Sequence, residues 1–347
     1  MNRARTALLV ADSLVGAETH AALSDAPVPP AELRRRLKAW EPKFAHAQSE
    51  ATLKAVRSDW SVVFGWCERA GACPLPLALA DLVRFLSDML VMGRRRATLD
   101  RYVYTITLVH SAVALASPTR HPDWPLEWKA ITRKLATLKR NAPRQAAALR
   151  SAEVELILAT LGDAPRDLRD AALLSFASDT LCRESEIAAA CREDVVRTDD
   201  GSAWTYFLGR SKNDPEGLGA YRFVSDDTKR RLDRWCKAAA IESGPLFLPV
   251  GGRRKRDAEH RPRGLEPAEV SRILRRRAAR AGVVPAAGRV SGHSTRVGSA
   301  VELIENAASL LDVMYAGGWK STRQPLKYGK KALAGRNAMA MLRARRR

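Results

Sequence analysis

The sequence has few features that indicate cross-links or metal sites. It contains five cysteines in 347 residues, with no CxxC pair and no histidine at zinc-ligand spacing. Neither a disulfide framework nor a metal site is therefore predicted. We interpret the cysteines as core residues of a protein in a reducing compartment; they are Cys67, Cys73, Cys182, Cys191 and Cys236.

Long hydrophobic runs are also missing. No apolar segment approaches the ~20 residues that a membrane-spanning helix needs. The N-terminus carries Arg3 and Arg5 ahead of a short apolar stretch, but Asp12 interrupts that stretch and no clear cleavage site follows. A signal peptide is therefore not predicted, and we expect no membrane partner and a cytoplasmic location. Internal repeats and low-complexity tracts are absent from the sequence.

Positive charge, in contrast, is abundant. The formal net charge is +21, and residues 1–150 hold 23 Lys and Arg against 13 Asp and Glu, while the remainder holds 36 against 25. Two basic parts favour a clamp around a polyanion, and the backbone of double-stranded DNA fits that description. The alternative is an ordinary protein from an arginine-rich proteome.

Composition changes along the chain predict two domains, an N-terminal arm and one linker. Residues 1–34 end in a proline-rich stretch and are predicted to be a flexible arm. Residues 35–138 show apolar positions three and four apart, which predicts a helical domain. The polar, basic stretch 139–150 is interpreted as a linker. Residues 151–347 form the second domain.

Basic residues of the helical domain and of the linker are the candidate DNA contacts. Three consecutive arginines open the third predicted helix, where they could meet phosphates or enter a groove. A solvated charged turn is an equally good explanation of those three. The candidates are Arg94, Arg95, Arg96, Arg101, Lys139 and Arg140.

The second domain is predicted to be mainly helical with a small antiparallel sheet, an α+β arrangement. Helices are expected over 151–177, 182–196, 267–281, 295–305 and 309–315. Two aromatic and β-branched segments, Trp204–Leu208 and Tyr221–Val224, flank a polar loop and predict a hairpin.

Residues with complementary chemistry are concentrated near the C-terminus. His293 and Arg296 are three apart, Trp319 follows a Gly-Gly pair, and Tyr328 lies nine residues further on. A phenol with an ordinary pKa near ~10 is a poor nucleophile at neutral pH. Surrounding cations make it usable against a phosphodiester, so this set of residues indicates DNA cleavage without a metal.

Each of these residues also has a structural explanation. A single histidine is more often a capping or core residue, and a single arginine is usually on the surface. Three other tyrosines compete for the role of nucleophile. Tyr315 is expected to pack inward, and Tyr206 and Tyr221 are expected on strands.

Several motifs together resemble the tyrosine recombinase (phage integrase) family, most of all its Cre-type members. Residues 291–298 and 316–319, with Tyr328 at a matching interval, resemble the end of the family's catalytic domain. Residues 180–187 resemble its first arginine motif, and 209–212 resemble its catalytic lysine turn. The helical domain resembles the family's core-binding domain more loosely.

The resemblance implies a role for each matched residue. Arg183 and Arg296 would hold the non-bridging oxygens of the scissile phosphate, and Tyr328 would attack the phosphorus to give a 3′-phosphotyrosyl bond. The remaining roles concern proton transfer and positioning. Lys212 would be the general acid, His293 would assist proton transfer or bind the phosphate, Trp319 would donate a hydrogen bond, and Glu186 would orient the cluster.

The resemblance also implies how such an enzyme works. Strands would be exchanged through a Holliday junction by a tetramer on two duplexes carrying a specific site, with the terminal helix docked on a neighbour. No cofactor is implied, because the phosphotyrosyl bond conserves the energy needed for rejoining. The alternatives are a catalytically inactive DNA-binding relative and a type IB topoisomerase.

Overall fold

A computed structural model describes residues 28–139, 141, 145–209, 218–251 and 263–344. The chain divides into two compact units, Met1–Pro143 and Arg144–Arg347. The division falls within the segment that the sequence predicts as a linker. Among the described residues, no helix combines the length and the apolar character that crossing a membrane requires.

The first unit is helical throughout its described part. Some of its helices begin at a capping group or a proline; at the start of the second helix, for example, the hydroxyl of Ser49 accepts a hydrogen bond from the amide of Thr52. The elements are α1 (Pro30–Ala47), α2 (Glu50–Ala70), α3 (Leu79–Val91), α4 (Arg96–Ala112), a 3₁₀ turn (Pro118–Arg120) and α5 (Trp124–Thr137).

Apolar residues spaced by three or four positions form the core of the first unit. Leu82, Phe85 and Leu86 of α3 are fully buried, as are Leu99 and Ile106 of α4. This spacing places them on one face of each helix, as the sequence predicts. The core therefore follows directly from the hydrophobic pattern.

The second unit combines helices with one small sheet. Its elements are α6 (Ser151–Leu158), α7 (Pro165–Thr180), α8 (Glu184–Ala188), a 3₁₀ turn (Arg192–Asp194), β1 (Val195–Arg197), β2 (Trp204–Leu208), β3 (Ala220–Val224), α9 (Asp226–Ala239), α10 (Pro267–Arg280), α11 (Ser294–Glu305), α12 (Leu310–Gly317), α13 (Arg323–Tyr328), α14 (Lys330–Gly335) and α15 (Ala338–Ala344). The predicted fold class, mainly α with a small antiparallel sheet, is confirmed.

Two predicted helices differ from the structure. The helix expected over 151–177 is two helices, because Pro165 starts a new helix at its first turn. The helix expected over 182–196 ends at Ala188, and its last residues belong to β1. Val195 and Val196 are β-branched and pair with Tyr206 and Thr205, so strand pairing replaces the helix there.

The sheet has the strand order β1-β2-β3, and both pairs are antiparallel. Side chains alternate between its two faces, as pleating requires. Tyr206 on β2 and its partner Arg222 on β3 point to the buried face, while Tyr221 and Phe223 are exposed. The sheet thus directs Arg222 toward the interior of the second unit.

Residues 145–150, which the sequence assigns to the linker, pack within the second unit. Ala147 and Leu149 are buried in its main core. The amide of Leu149 donates to the carbonyl of Ser294 at 3.0 Å. A Cβ atom at Gly298 would overlap the carbonyl of Leu149, so this close approach requires glycine. The segment therefore holds the start of α11, which carries Arg296 and follows directly after His293.

Candidate active site

Arg296 lies in the first turn of α11 and is only 2% exposed. Its Nη1 donates to the carbonyl of Leu181, and its Nη2 donates to the carbonyl of Gly317 at 2.8 Å. Leu181 follows the last residue of α7, and Gly317 is the last residue of α12. Carbonyls at helix C-termini lack partners within the helix and carry partial negative charge. The guanidinium therefore ties two helix ends together and is held rigidly by both.

The backbone at Leu181 is unusual for its residue type. Leu181 has a φ of 50°, in the left-handed region that side chains with a Cβ rarely adopt. The turn ends α7, and Arg183 follows two residues later. Local strain of this kind is typical of functional sites.

Arg183 and Glu186 form a close ion pair at the start of α8. The Nη1 of Arg183 donates to Oε1 of Glu186 at 2.6 Å, and the amide of Arg183 donates to Oε2 at 2.8 Å. Glu186 is 6% exposed, whereas Arg183 is partly exposed. The carboxylate thus fixes one edge of the guanidinium while part of this arginine remains accessible.

Electrostatic effects at Arg296 reflect its burial near another cation. Burial disfavours the charged guanidinium and lowers the pKa of Arg296 to about 10, and the charge of Arg183 acts in the same direction. Glu186 and Tyr328 oppose this effect. Arg296 still carries its proton at neutral pH, so a fixed positive charge is concentrated here.

Trp319 and Tyr328 lie beside this charge. The guanidinium of Arg296 is 4.2 Å from the centre of the Trp319 ring, a cation–π contact. The rings of Trp319 and Tyr328 meet edge-on with their centres 6.0 Å apart. Tyr328 is the last residue of α13 and is partly buried. The arginine, the indole and the phenol predicted from sequence therefore form one contiguous group.

His293 immediately precedes α11 and is partly buried. Burial lowers the pKa of its imidazole, and although the charge of Glu184 raises that pKa, those of Arg296 and Arg183 lower it further. Within the described ranges, no group hydrogen-bonds the imidazole ring. A partly buried ring that keeps its hydrogen-bonding capacity suits contact with a substrate.

The competing tyrosines lie in less suitable places. Tyr315 is 80% exposed on α12, so the prediction that it packs inward is wrong. Its position falls on the solvent side of a short helix, which the sequence pattern did not distinguish from the inner side. Burial raises the pKa of Tyr206, which disfavours its phenolate. Tyr221 is exposed on the outer face of the sheet.

Two predicted residues, Lys212 and Arg140, fall outside the described residues. Among the other candidate DNA contacts, Arg94 and Lys139 are exposed, and Arg95 is partly exposed immediately before α4. The remaining two, Arg96 and Arg101, lie on α4. Arg96 pairs with Asp100 and packs on Trp128, and Arg101 makes two hydrogen bonds to the buried carboxylate of Asp59, at 2.6 and 2.7 Å.

Two further charged residues of the site were not predicted. Arg222 of β3 is buried and donates to the carbonyl of Tyr315 at 3.1 Å, close to the C-terminus of α12. Its inward position follows from strand alternation and could have been found from that pattern. Glu184 contacts Ser271 of α10, a pairing across the fold for which the sequence gives no signal. In the described part of the chain, no three His, Cys, Asp or Glu residues are grouped as metal ligands.

Comparison with known proteins gives consistent matches. The model of the phage integrase family matches residues 147–332. The recombinase Cre of Escherichia phage P1 is 24% identical over 81% of this chain and 84% of its own length. A XerD homologue, an integrase/recombinase of Selenomonas ruminantium, is 27% identical over 82% of this chain and 83% of its own length.

A solved structure has the same fold over almost the whole chain. It is the XerH site-specific recombinase bound to its palindromic difH substrate after cleavage, with 14% identity and a TM-score of 0.62. The match covers 96% of each chain. More than half of this chain matches the family model, and the motifs recognised in the sequence lie within the matched region. The chain is therefore a member of the phage integrase family, a site-specific recombinase of the tyrosine type.

Proposed function

We propose that the protein cleaves and rejoins double-stranded DNA at a specific site, with Tyr328 as the nucleophile. The phenol oxygen attacks the scissile phosphorus and forms a 3′-phosphotyrosyl ester while the bond to the 5′ oxygen breaks. A 5′ hydroxyl from a partner strand later reverses this step. Because one ester replaces another, rejoining needs no external energy source.

The observation that carries this proposal is the environment of Arg296. Its guanidinium is buried against Trp319, whose ring meets that of Tyr328, and its hydrogen bonds go to two backbone carbonyls. No carboxylate among the described residues forms an ion pair with it. A fixed, uncompensated cation next to a phenol is suited to the charge that develops on a pentacoordinate phosphorus.

The neighbouring residues take complementary roles in this proposal. Arg183 holds a second phosphate oxygen, since a guanidinium matches phosphate geometry and keeps its charge. Glu186 orients Arg183, and the indole N–H of Trp319 donates to phosphate but cannot transfer protons. His293 assists proton transfer or binds the phosphate, and Lys212 protonates the leaving 5′ oxygen.

Assembly on DNA completes the proposal. The XerH structure contains a DNA substrate, which supports double-stranded DNA as the partner of this chain. The basic first unit would also contact the duplex, and Arg94 and Lys139 are exposed candidate contacts there. Two pairs of protomers would join two duplexes in a tetramer and exchange strands through a Holliday junction.

A nicked duplex that traps the cleaved state tests the nucleophile. The DNA should carry an inverted repeat from the region flanking the gene. The wild-type chain is expected to form a covalent adduct that resists denaturation. Tyr328→Phe should bind this DNA equally well and form no adduct, because the attacking oxygen is gone.

Tyr315→Phe is the matched control, because Tyr315 is a nearby but exposed tyrosine; it should form the adduct normally. Adduct formation by Tyr328→Phe would reject the assigned nucleophile. Binding by the wild-type chain without any cleavage would favour an inactive relative. Relaxation of a plasmid that lacks the recombination site would favour topoisomerase activity.

A further inference from the structure

Glu184 lies next to Arg183 but faces a different partner. Its Oε2 accepts a hydrogen bond from the hydroxyl of Ser271, on α10, at 2.5 Å. The same hydroxyl accepts a hydrogen bond from the amide of Gly292 at 2.7 Å. Gly292 is the residue before His293. A continuous hydrogen-bonded path therefore leads from Glu184 to the backbone that carries the imidazole.

The direction of these bonds makes the path specific. A serine hydroxyl has one proton and can accept through its lone pairs. The hydroxyl proton of Ser271 points to the carboxylate of Glu184 in a hydrogen bond. The lone pairs of Ser271 therefore remain available to accept a hydrogen bond from the amide of Gly292. A charged acceptor also strengthens the first bond relative to a neutral one. Glu184 thus determines how Ser271 holds the backbone.

Close packing reinforces the same arrangement. A Cβ atom at Gly292 would lie 2.6 Å from the Cβ of Glu184 and would overlap its carboxylate. The backbone ahead of His293 therefore lies directly against the Glu184 side chain. Only glycine allows this approach.

The charges around His293 give Glu184 a second effect. The groups that act on the imidazole are Glu184 and Glu186, which are negative, and Arg183 and Arg296, which are positive. They come from α8 with its preceding turn and from α11, while α10 contributes the uncharged Ser271. Glu184 is the strongest charged influence on the ring, and it favours the imidazolium form.

We propose that Glu184 is a positioning residue for His293, which holds the backbone of that histidine through Ser271 and offsets the positive charge of the two arginines. This inference rests on the proposed function, since it concerns how His293 acts during DNA cleavage. Glu184 itself does not touch the substrate. Its two effects, on geometry and on charge, are separable by substitution.

Single-turnover cleavage of the trapped duplex, measured as a function of pH, separates the two effects. Glu184→Gln keeps the size and an accepting oxygen but removes the charge. In the plot of cleavage rate against pH, the midpoint of the limb that depends on His293 should move to lower pH. The reason is that losing a nearby negative charge disfavours the imidazolium. The limb that belongs to His293 is the one that disappears in His293→Asn.

Ser271→Ala tests the geometric effect, because it keeps the charge and breaks the path. Cleavage should be roughly 10-fold slower at every pH with the midpoint unchanged, a smaller loss than the ~10²–10⁴-fold contribution of general acid–base catalysis. Ser271→Thr keeps a hydroxyl and should cleave at the wild-type rate. Glu155→Gln removes an exposed charge on α6 and should behave as the wild type.

An unchanged midpoint in Glu184→Gln, or an unchanged rate in Ser271→Ala, overturns the inference. DNA affinity and thermal unfolding of each variant establish that it is folded. These outcomes are distinct from failure of the proposed function. If the wild type and Glu155→Gln form the Tyr328 adduct while the other variants match them, only the role of Glu184 is rejected.

Discussion

Two arginines of the second unit are almost equally buried but lie in opposite electrostatic surroundings. Arg277 is 6% exposed and Arg296 is 2% exposed. Arg277 forms ion pairs with Asp167 and Asp170, each at 2.6 Å, whereas Arg296 hydrogen-bonds only carbonyl oxygens among the described residues. Carboxylates neutralise one cation inside the protein, whereas the other has no carboxylate partner in the described part of the chain.

The pKa values of the two groups move in opposite directions for this reason. Burial lowers the pKa of Arg277, but hydrogen bonds and attraction to Asp170 and Asp167 outweigh it, and the pKa rises above its usual range. At Arg296 burial lowers the pKa to about 10, and no carboxylate within the described ranges bonds the group to restore it. The partners of a buried arginine thus decide whether carboxylates compensate its charge within the protein.

Removing the carboxylate that neutralises Arg277 should have the largest effect, and this effect is on stability. The carboxylate of Asp170 is fully buried and pairs with Arg169, Arg276 and Arg277. Asp170→Asn leaves buried positive charge without compensation and should lower the free energy of unfolding by about 3–5 kcal/mol. Chemical denaturation measures this change.

The matched control is Asp163→Asn, which removes an exposed partner of Arg234. Its effect should stay below about 1 kcal/mol, because exposed ion pairs contribute little. Equal stability losses in the two variants would contradict the comparison. Asp170→Asn molecules that remain folded should still cleave DNA at the wild-type rate.

Substitution in the uncompensated site should mainly affect chemistry. Arg296→Lys keeps the charge but loses the rigid fork, and single-turnover cleavage should fall by roughly 10²–10³-fold, as when one donor to a transition-state oxyanion is removed. The rate is measured on the trapped duplex and normalised to the folded fraction. Arg276→Lys, beside Asp170, should cleave at the wild-type rate. A similar loss in that variant would show that the surroundings of Asp170 and of Arg296 do not differ in function.

The smallest expected effect concerns the indole beside Arg296. Trp319→Phe keeps an aromatic ring against the guanidinium and removes the N–H donor. Losing one hydrogen bond to a charged phosphate oxygen is expected to cost about 1.5–3 kcal/mol, or roughly 10- to 150-fold in the cleavage rate. Trp204→Phe, at the sheet surface near Arg197 and Lys229, should leave the rate unchanged. A loss in both variants would point to general destabilisation instead.

The sequence predicted the site better than it predicted the surroundings of the site. Arg296, Trp319 and Tyr328 lie together because short helices and tight turns within one span of the chain set their spacing. The roles assigned to these residues remain predictions. The fold class also followed from local patterns, since apolar periodicity and β-branched segments distinguish helices from strands.

Contacts between distant segments could not be predicted in the same way. Asp59 and Arg101 are 42 residues apart, and their pairing depends on how α2 packs on α4. The path from Glu184 to Gly292 depends equally on the placement of α10. The exposed side of Tyr315 was missed because α12 is too short for its apolar pattern to define one face.

The position of Arg296 between two helix ends also constrains how the sequence can evolve. A related protein that has lost catalytic activity but still folds is expected to retain this arginine. Replacing it would leave the carbonyls at the ends of α7 and α12 without hydrogen-bond donors. Tyr328 is under no comparable restraint. The presence of the arginine in a related chain is therefore weak evidence of activity, and the presence of the tyrosine is much stronger.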